Sequence, residues 1–355
     1  MRIYKKIQVI ALSVVIIVLV GLGIWFVTNA IPVNSKSNNY FTINTDLKGP
    51  YNEVARYEVD SSKVQDLRIS WIAGDILISP HEEDDILIVE YAQRDLKEDE
   101  HLKINISSDT LRIEYSRQKF YINVPRKKLE VFIPEELAKN LDYVEVDRTS
   151  ADLRINDLNA REFKVDSTSG QASLRNLEAS KMEVDVTSGD TSIFDSQIDQ
   201  ITVSSTSGDT NIFVSKISSL SIDATSGDVT IKDLVLDELS INATSAISKL
   251  DQVTANKLIF DVTSGNVTFE GSFKELEGNS TSGKYFITNH IKPDLFRFDT
   301  SSGDVELTLP EFEDFSVSYD TASGELESEL PIKLGVGSDY LVDTSSGDLT
   351  IKKLD

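Results

Sequence analysis

A recurring Thr-Ser-Gly motif constrains the fold of this chain more than any other feature of its sequence. The position of its glycine, which we call the slot, occurs eleven times after residue 146, and the first six spacings between slots are 19 residues each. A fixed period of this length is the signature of a repeat protein whose units pack on their neighbours. The slot is glycine at Gly170, Gly189, Gly208, Gly227, Gly265, Gly283, Gly303, Gly324 and Gly347, and alanine at Ala151 and Ala246.

Each repeat unit predicts two short β-strands, one before the slot and one after it. Apolar and polar residues alternate on both sides, so that Met182, Val184 and Val186, for example, would face one way. Period-two alternation interrupted by Ser-Gly is typical of half-buried strands joined by turns. One unit buries too few apolar side chains to fold alone. We therefore predict an all-β solenoid of about eleven coils of about 19 residues each.

The glycine in the slot allows two explanations. Glycine adopts the left-handed backbone conformation at little cost, and it also lets two backbones approach closely. Alanine is disfavoured in the left-handed region, yet it occupies the slot at Ala151 and Ala246. These two exceptions make tight stacking between coils at least as good an explanation as a strict left-handed turn.

Residues 51–145 predict an N-terminal β cap, and residues 146–355 predict the solenoid itself. Residues 67–78 read as a degenerate copy of the repeat. A cap is needed because an uncovered first coil would expose a row of unpaired backbone groups. At the other end we expect Lys352, Lys353 and Asp355 to discourage end-to-end pairing. Within the cap, alternation predicts strands at residues 86–91, 102–106, 111–115 and 129–133.

The first fifty residues indicate a membrane anchor. Three basic residues lie in a tail over residues 1–6, and residues 7–27 are almost wholly apolar. That run has the length of a bilayer-spanning helix, and basic residues before it favour a cytoplasmic N-terminus. A cleaved signal peptide has a shorter apolar core. We therefore favour a single-pass anchor in the cell membrane, followed by a polar tether over residues 28–50 and an extracytoplasmic C-terminal domain.

The charge and cysteine content narrow the classes of partner and site. The chain has 59 acidic and 35 basic residues, a net charge of −24, so it would repel the phosphate backbone of a nucleic acid. Without cysteine it has neither disulfides nor thiolate metal sites. We therefore expect no nucleic-acid partner, and no motif in the sequence predicts a cofactor.

Two sets of acidic residues follow the repeat and would form columns on the solenoid surface. One set stands four residues before the slot, and the other, which includes Asp190, Asp209 and Asp228, stands immediately after it. Stacked carboxylates can bind Ca²⁺, but the glycine-rich nonapeptide signature of calcium-binding β-rolls is absent. We expect the carboxylates to accept hydrogen bonds from turn N–H groups. No metal site is therefore predicted. If the chain does bind calcium, Asp190, Asp209 and Asp228 are the candidate ligands.

The sequence does not predict catalysis. A carboxylate-based glycosidase needs two acids in different environments, whereas these acids repeat as equivalents along the chain. The histidines are His81, His101 and His290, and none stands near a nucleophile motif. We expect His81 and His101 to be solvated, and we expect no catalytic residue.

Aromatic residues concentrate in the predicted cap and allow two interpretations. They would fill the core of the cap, as large apolar side chains usually do, or they would form a platform that binds sugars. We favour core packing. The residues are Trp71, Tyr115, Phe120, Tyr121, Phe132 and Tyr143.

Residues 54–355 resemble a known bacterial family. The resemblance rests on the stretch Leu-Glu-Val-Phe-Ile-Pro at residues 129–134 and on the series of Ser-Gly-Asp turns that follows it. The family is labelled putative adhesins and includes membrane-anchored LiaG-like proteins of cell-envelope-stress operons. The resemblance implies a β-solenoid exposed in the envelope, and it implies no catalytic or binding residues.

These observations lead to three functional hypotheses. The first is a non-catalytic binding or scaffold protein of the cell envelope, whose partner is an envelope protein or a surface polymer. The second is a regulatory accessory of a membrane system that senses envelope stress, and the third is a carbohydrate-active enzyme. In the coil around Ala246, Ile247 replaces the usual acid. It predicts either a contact patch or a local register slip.

Overall fold

The computed structural model describes residues 51–116, 125–213, 215–312, 316–334 and 340–354. They belong to one compact unit, Leu47–Asp355. The predicted basic tail, membrane anchor and tether, at residues 1–6, 7–27 and 28–50, lie outside the described residues and stay predictions. Within the described ranges, no helix combines the length and the apolar character needed to cross a bilayer.

The described chain is an all-β solenoid, which confirms the fold predicted from the repeat. It has about ten turns, slightly fewer than predicted, because the coil of Gly324 contributes only short strands after its slot. A short 3₁₀ turn spans Ser61–Lys63 and a short helix, α1, spans Glu135–Ala138. The strands are β1 (Asn52–Val59), β2 (Asp66–His81), β3 (Ile86–Ala92), β4 (Lys103–Ser107), β5 (Thr110–Glu114), β6 (Lys127–Pro134), β7 (Leu141–Ser169), β8 (Ala172–Ser188), β9 (Thr191–Phe194), β10 (Gln197–Ser205), β11 (Thr210–Phe213), β12 (Lys216–Ala224), β13 (Val229–Ala243), β14 (Ser248–Ser264), β15 (Val267–Ser282), β16 (Lys284–Asn289), β17 (Leu295–Thr300), β18 (Asp304–Leu309), β19 (Ser316–Thr321), β20 (Leu326–Ser328), β21 (Lys333–Leu334), β22 (Tyr340–Thr344) and β23 (Leu349–Lys353).

The coils stack in parallel, with a register set by the repeat. Between β10 and β12, Ile201 pairs with Leu220 and Val203 pairs with Ile222, an offset of 19 residues. The offset persists from β7 to β14. Residues at one repeat position therefore form a column along the solenoid. The apolar positions of the alternation point into the core, where they are almost completely buried.

A second column shows how each coil turns again six residues after the slot. The five residues of this column whose backbone is left-handed have φ angles between 51 and 59°. Aspartate and asparagine tolerate this conformation because their short side chains can hydrogen-bond locally. The slot itself has positive φ angles at Gly170, Gly189 and Gly283, and the recurrent Asp or Asn of the second column is a further sequence signal for a left-handed turn. The residues are Asp157, Asn176, Asp195, Asp233 and Gln252.

The N-terminal end of the solenoid is covered by strands that leave the repeat pattern. β2 pairs in parallel with β7 on one side and with β5 and β6 on the other. β3 pairs antiparallel with β6 and with β1, and β4 pairs antiparallel with β5. β2 is therefore the first coil in the sequence but not the outermost one. β3 to β6 occupy nearly the residues predicted for the four cap strands.

At the C-terminal end, the last two coils stack in the reverse of their sequence order. β22 lies between β17 and β19, and β23 lies between β18 and β20. The final coil is thus inserted between the two coils that precede it in the sequence. The prediction that Lys352 and Lys353 guard the end of the solenoid is wrong, because both belong to this inserted coil. Asp355 lies outside the described residues.

Candidate binding surface

The slot glycines form a column in which consecutive coils touch through their backbones. A Cβ atom at Gly208 would lie 1.8 Å from the carbonyl oxygen of Gly189, and one at Gly227 would lie 1.9 Å from that of Gly208. At every slot glycine from Gly170 to Gly347, a Cβ atom would lie within 2.9 Å of the carbonyl oxygen of a neighbouring slot. No side chain fits at that distance without a shift of the backbone. Tight stacking therefore favours glycine throughout the slot column, and at Gly170, Gly189 and Gly283 a φ angle between 103 and 144° favours glycine as well.

The aspartates that follow the slot form a hydrogen-bonded ladder. The Asp209 N–H donates to Oδ1 of Asp190 at 3.1 Å, and the Asp228 N–H donates to Oδ1 of Asp209 at 2.9 Å. The Ile247 N–H continues the ladder onto Asp228 at 3.1 Å, and Asn266 accepts in the same way in a later coil. Among the described residues, no three or more His, Asp or Glu side chains are grouped so as to hold a metal ion.

We expect this ladder to be insensitive to calcium. The Oδ1 atoms already accept backbone N–H groups, and Asn266 does so without a charge. Millimolar Ca²⁺ should therefore shift the melting temperature by less than about 3 °C relative to Mg²⁺ in circular dichroism melts. Asp209→Asn should be tolerated because the amide keeps its Oδ1. A calcium-specific rise that is abolished by D190N/D209N/D228N would contradict this expectation.

A buried ionic cluster lies in the N-terminal cap. Lys127 and Glu90 are both fully buried, and Nζ lies 2.7 Å from Oε1. Nζ also donates to the carbonyl oxygens of Glu100 and Tyr115. The second oxygen of Glu90 lies 2.8 Å from Nδ1 of His101. Burial lowers the pKa of Lys127, and the hydrogen bond with Glu90 opposes that shift.

This cluster joins β3, β5, β6 and the segment before β4. Nζ of Lys127 has three oxygen acceptors, which matches the three donors of an ammonium group, and it lies 3.9 Å from the ring centroid of Tyr115. The expectation that His101 is solvated is wrong, since its side chain is only 27% exposed and contacts Glu90. Sequence analysis missed the cluster, although Lys127 and Glu90 both stand at apolar positions of their strands' alternation.

The described aromatic residues of the predicted set are buried or half-buried in the cap. Trp71 and Tyr115 are buried with ring centroids 4.8 Å apart, in the edge-to-face geometry typical of core aromatics. Phe132 and Tyr143 are half-buried. The two other aromatic residues of the predicted set, at positions 120 and 121, lie outside the described residues.

The wall of the solenoid is indented at the left-handed corner by a feature that we call the notch. In the coils on either side, the residue after this corner is a buried leucine, Leu177 or Leu234, but in the two coils between them it is Ser196 or Ser215. β8 and β13 run unbroken through the corner. Asp195 and Ser196 separate β9 from β10 in one coil, and Ser215 lies outside the strands just before β12 in the next. The result is a solvent-open cavity of about 450 Å³.

The two serines bond to the backbone at the point where the strands are interrupted. The Ser196 hydroxyl donates to the carbonyl oxygen of Phe194 at 2.7 Å and accepts the Leu177 N–H at 3.2 Å. The Ser215 hydroxyl donates to the carbonyl oxygen of Phe213 at 3.1 Å and accepts the Ser196 N–H at 3.4 Å. The serines therefore satisfy backbone groups that would otherwise be unpaired in a protein interior.

Polar side chains from four consecutive coils line the notch. They comprise three carboxylates, two amides and one ammonium group, so that the site carries net negative charge. All six side chains are exposed to solvent. They belong to Asn176, Glu178, Asp195, Gln197, Lys216 and Asp233.

Apolar side chains stand within two residues of the notch lining, before and after its corner. Phe194 and Phe213 are half-buried and stack with ring centroids 5.4 Å apart at an interplanar angle of 15°. The guanidinium of Arg175 lies 5.4 Å from the centroid of the Phe194 ring. Val235, which is 65% exposed, pairs along the sheet with Lys216 of the notch. The lining of the notch is thus mainly polar, and we call the apolar side chains beside it in the chain, those of Phe194, Phe213 and Val235, its rim.

Ile247, which interrupts the acidic column, is in register with its neighbours. Its carbonyl oxygen accepts the Val229 N–H at 2.9 Å, and β13 and β14 pair without a shift on either side of it. The hypothesis of a register slip is therefore wrong. The side chain is 43% exposed, and the contact-patch hypothesis stays a prediction.

The fold and surface described above define a class of repeat proteins, the parallel β-solenoids with glycine slots. The chain belongs to the Toastrack DUF4097 family, whose sequence model matches residues 64–229 and 214–352. None of the curated proteins compared with the chain matches it.

Solved structures resemble the chain over most of its length. A putative adhesin from Parabacteroides distasonis ATCC 8503 is 11% identical, with 85% of this chain and 98% of that one covered and a TM-score of 0.39. A putative lipid binding protein from the same organism is 13% identical, with 86% and 96% covered and a TM-score of 0.37. A putative adhesin from Bacteroides fragilis NCTC 9343 is 14% identical, with 86% and 97% covered and a TM-score of 0.28.

Proposed function

We propose that this chain is a non-catalytic binding or scaffold protein of the cell envelope, which displays its solenoid outside the membrane on an N-terminal anchor. The observation that carries the proposal is the notch. Two consecutive coils carry serine where their neighbours carry a buried leucine, and polar side chains from four coils line the recess that results. The interruption at Ser196 and Ser215 coincides with a recess of about 450 Å³ in the wall.

The carboxylates of the notch support binding rather than catalysis. Carboxylate-based hydrolysis requires an acid whose pKa is raised, usually by an apolar environment. The carboxylates of Glu178, Asp195 and Asp233 are exposed, and the Asp195 side chain retains 52% of its accessible surface. Such groups suit hydrogen bonding to a ligand better than proton transfer.

The partner that we propose is an envelope protein or a surface polymer, which crosslinking in intact cells can identify. The full chain should capture its partner with a membrane-impermeant crosslinker, because both would lie outside the membrane. A chain truncated after residue 50 is the control and should capture nothing. Capture that requires a membrane-permeant reagent would contradict the proposal. Recovery of a stress-sensing membrane protein would favour the regulatory hypothesis instead.

A further inference from the structure

We propose that the notch binds a neutral or amine-bearing saccharide, an inference that rests on the proposed binding function and specifies its ligand class. The cavity of about 450 Å³ falls within the range of about 300–1,000 Å³ that is usual for small-molecule sites. Its interior is polar and its rim is apolar. A pyranose ring has the matching character, because it combines hydroxyl groups with an apolar C–H face.

The polar side chains of the notch can both donate to and accept from hydroxyl groups. The amides of Asn176 and Gln197 supply both roles, and the carboxylates supply acceptors. Two of these side chains are oriented in advance, since Asn176 donates to Asp157 at 2.6 Å and Glu178 accepts from Asn159 at 3.0 Å. Such preorganisation lowers the entropic cost of binding.

The charge of the notch selects against anionic saccharides. Three carboxylates, those of Glu178, Asp195 and Asp233, line the notch beside the ammonium group of Lys216. The guanidinium of Arg175 pairs with Asp195, its Nε lying 3.7 Å from Oδ2, so that one negative charge remains in excess. Like charges repel within the short distances of a binding site even in water. A uronate chain is therefore disfavoured, whereas an amino sugar gains an attractive interaction.

The rim supplies the apolar contacts that a sugar ring uses. Phe194 and Phe213 hold each other in place by stacking, so that little conformational freedom remains to be lost when a ligand arrives. Val235 offers a second apolar contact, in the coil that follows Lys216. The two phenylalanines precede the corner and Val235 follows it, in a different coil.

The core beneath the notch carries larger apolar residues than the preceding coil does, two positions after the serines. Two residues after the serines stand Ile198 and Ile217, both buried, whereas the preceding coil has the smaller Ala179 at this position. Loss of a core leucine alone would leave a destabilising void. Here the same pair of changes, Leu to Ser and Ala to Ile, occurs in two consecutive coils. The two isoleucines thus restore part of the apolar volume that the core loses at the serines, although the coil that follows carries leucine at both positions, Leu234 and Leu236.

Calorimetric titration of the full chain with three soluble tetrasaccharides tests the proposal. Cellotetraose is neutral, the β-1,4-linked glucosamine tetramer bears amines, and tetragalacturonate bears carboxylates. We expect saturable binding of at least one of the first two, and at least tenfold weaker binding of the third at equal ionic strength. Binding that is strongest for tetragalacturonate, or saturable binding of none of the three, would overturn the proposal.

A filled-notch variant localises the site. The changes S196L/I198A and S215L/I217A copy the leucine and alanine of the preceding coil, so the variant should melt at or above the temperature of the unchanged chain. We expect it to lose saccharide affinity at least tenfold. Phe286→Ala removes an exposed aromatic outside the notch and should leave affinity unchanged. Equal affinity of the filled variant and the unchanged chain would overturn the proposal.

The outcome of the crosslinking experiment separates this inference from the proposed function. If the filled variant still captures the same envelope partner from cells, the binding function stands and the saccharide site fails. If the captured partner is a protein and its capture is lost on filling, the notch is a protein-binding site and the saccharide proposal is overturned. If a glycan polymer is captured by the unchanged chain and lost on filling, both are supported.

Discussion

Replacing Lys127 by methionine is expected to destabilise the N-terminal cap by about 3–5 kcal/mol, the usual result of removing one partner of a buried ion pair. Glu90 would remain fully buried without its ammonium partner, which lies 2.7 Å away in the unchanged chain. The carbonyl oxygens of Glu100 and Tyr115 would also lose a donor. Three polar groups would therefore be left with fewer partners in a site that water does not reach.

Urea unfolding of the unit Leu47–Asp355, followed by tryptophan fluorescence, measures the effect. Trp71 is the sole tryptophan in this part of the sequence, and its ring lies 5.0 Å from Nζ of Lys127. Lys128→Met is the matched control, since it changes the next residue of β6. That lysine is 32% exposed and pairs with Glu130, so its loss should cost at most about 1 kcal/mol. Equal midpoints for the two variants would show that the buried pair does not hold the cap together.

The regular part of the fold could be predicted from the sequence because two periods act together. The alternation of apolar and polar residues decides which side chains face the core, and the 19-residue repeat decides which residues become neighbours. Val184 and Val203 illustrate this, since they stand at the same repeat position and pair in the structure. Neither inference needs long-range information.

The order of the coils at the C-terminal end could not be predicted in this way. Every coil presents the same pattern of apolar and polar residues to both of its neighbours. Phe298 could therefore pair with Tyr319 of the next coil in the sequence as readily as it pairs with Val342 of the final coil. The repeat therefore determines register but not order. At the N-terminal end, for the same reason, the sequence did not indicate that β2 lies between β7 on one side and β5 and β6 on the other.

The notch was visible in the sequence but had no motif to mark it. Ile247 can be recognised in the sequence because it interrupts the slot motif. Ser196 and Ser215 lie outside that motif and resemble ordinary turn residues. They become informative only once the structure shows that Leu177 and Leu234 occupy the same column in the core. A comparison of all repeats position by position, rather than around the slot alone, would have found them.

Removing the final coil, residues 340–355, is expected to release the coil that precedes it in the sequence and to cause self-association. Tyr340, Val342, Leu349 and Ile351 are buried, and at about 2 kcal/mol for each side chain their loss removes roughly 8 kcal/mol. β19 would keep only its two-residue pairing with β21. The bare edges of β17 and β18 would then be open to pairing with another chain. Light scattering should show oligomers, and protease should cut first within residues 310–334.

Introduced cysteine pairs test the insertion on which that expectation depends, because the chain has no cysteine of its own. Arg297 and Leu341 are partners in adjacent strands, about 4.8 Å apart, which suits a disulfide. Ser318 is the partner of Leu341 on the opposite side, so it lies about 9.6 Å from Arg297, too far for a bridge. R297C/L341C should therefore oxidise to an intramolecular disulfide, and R297C/S318C should not. The reverse result would place β19 directly against β17, and the final coil could then be removed without releasing its neighbour.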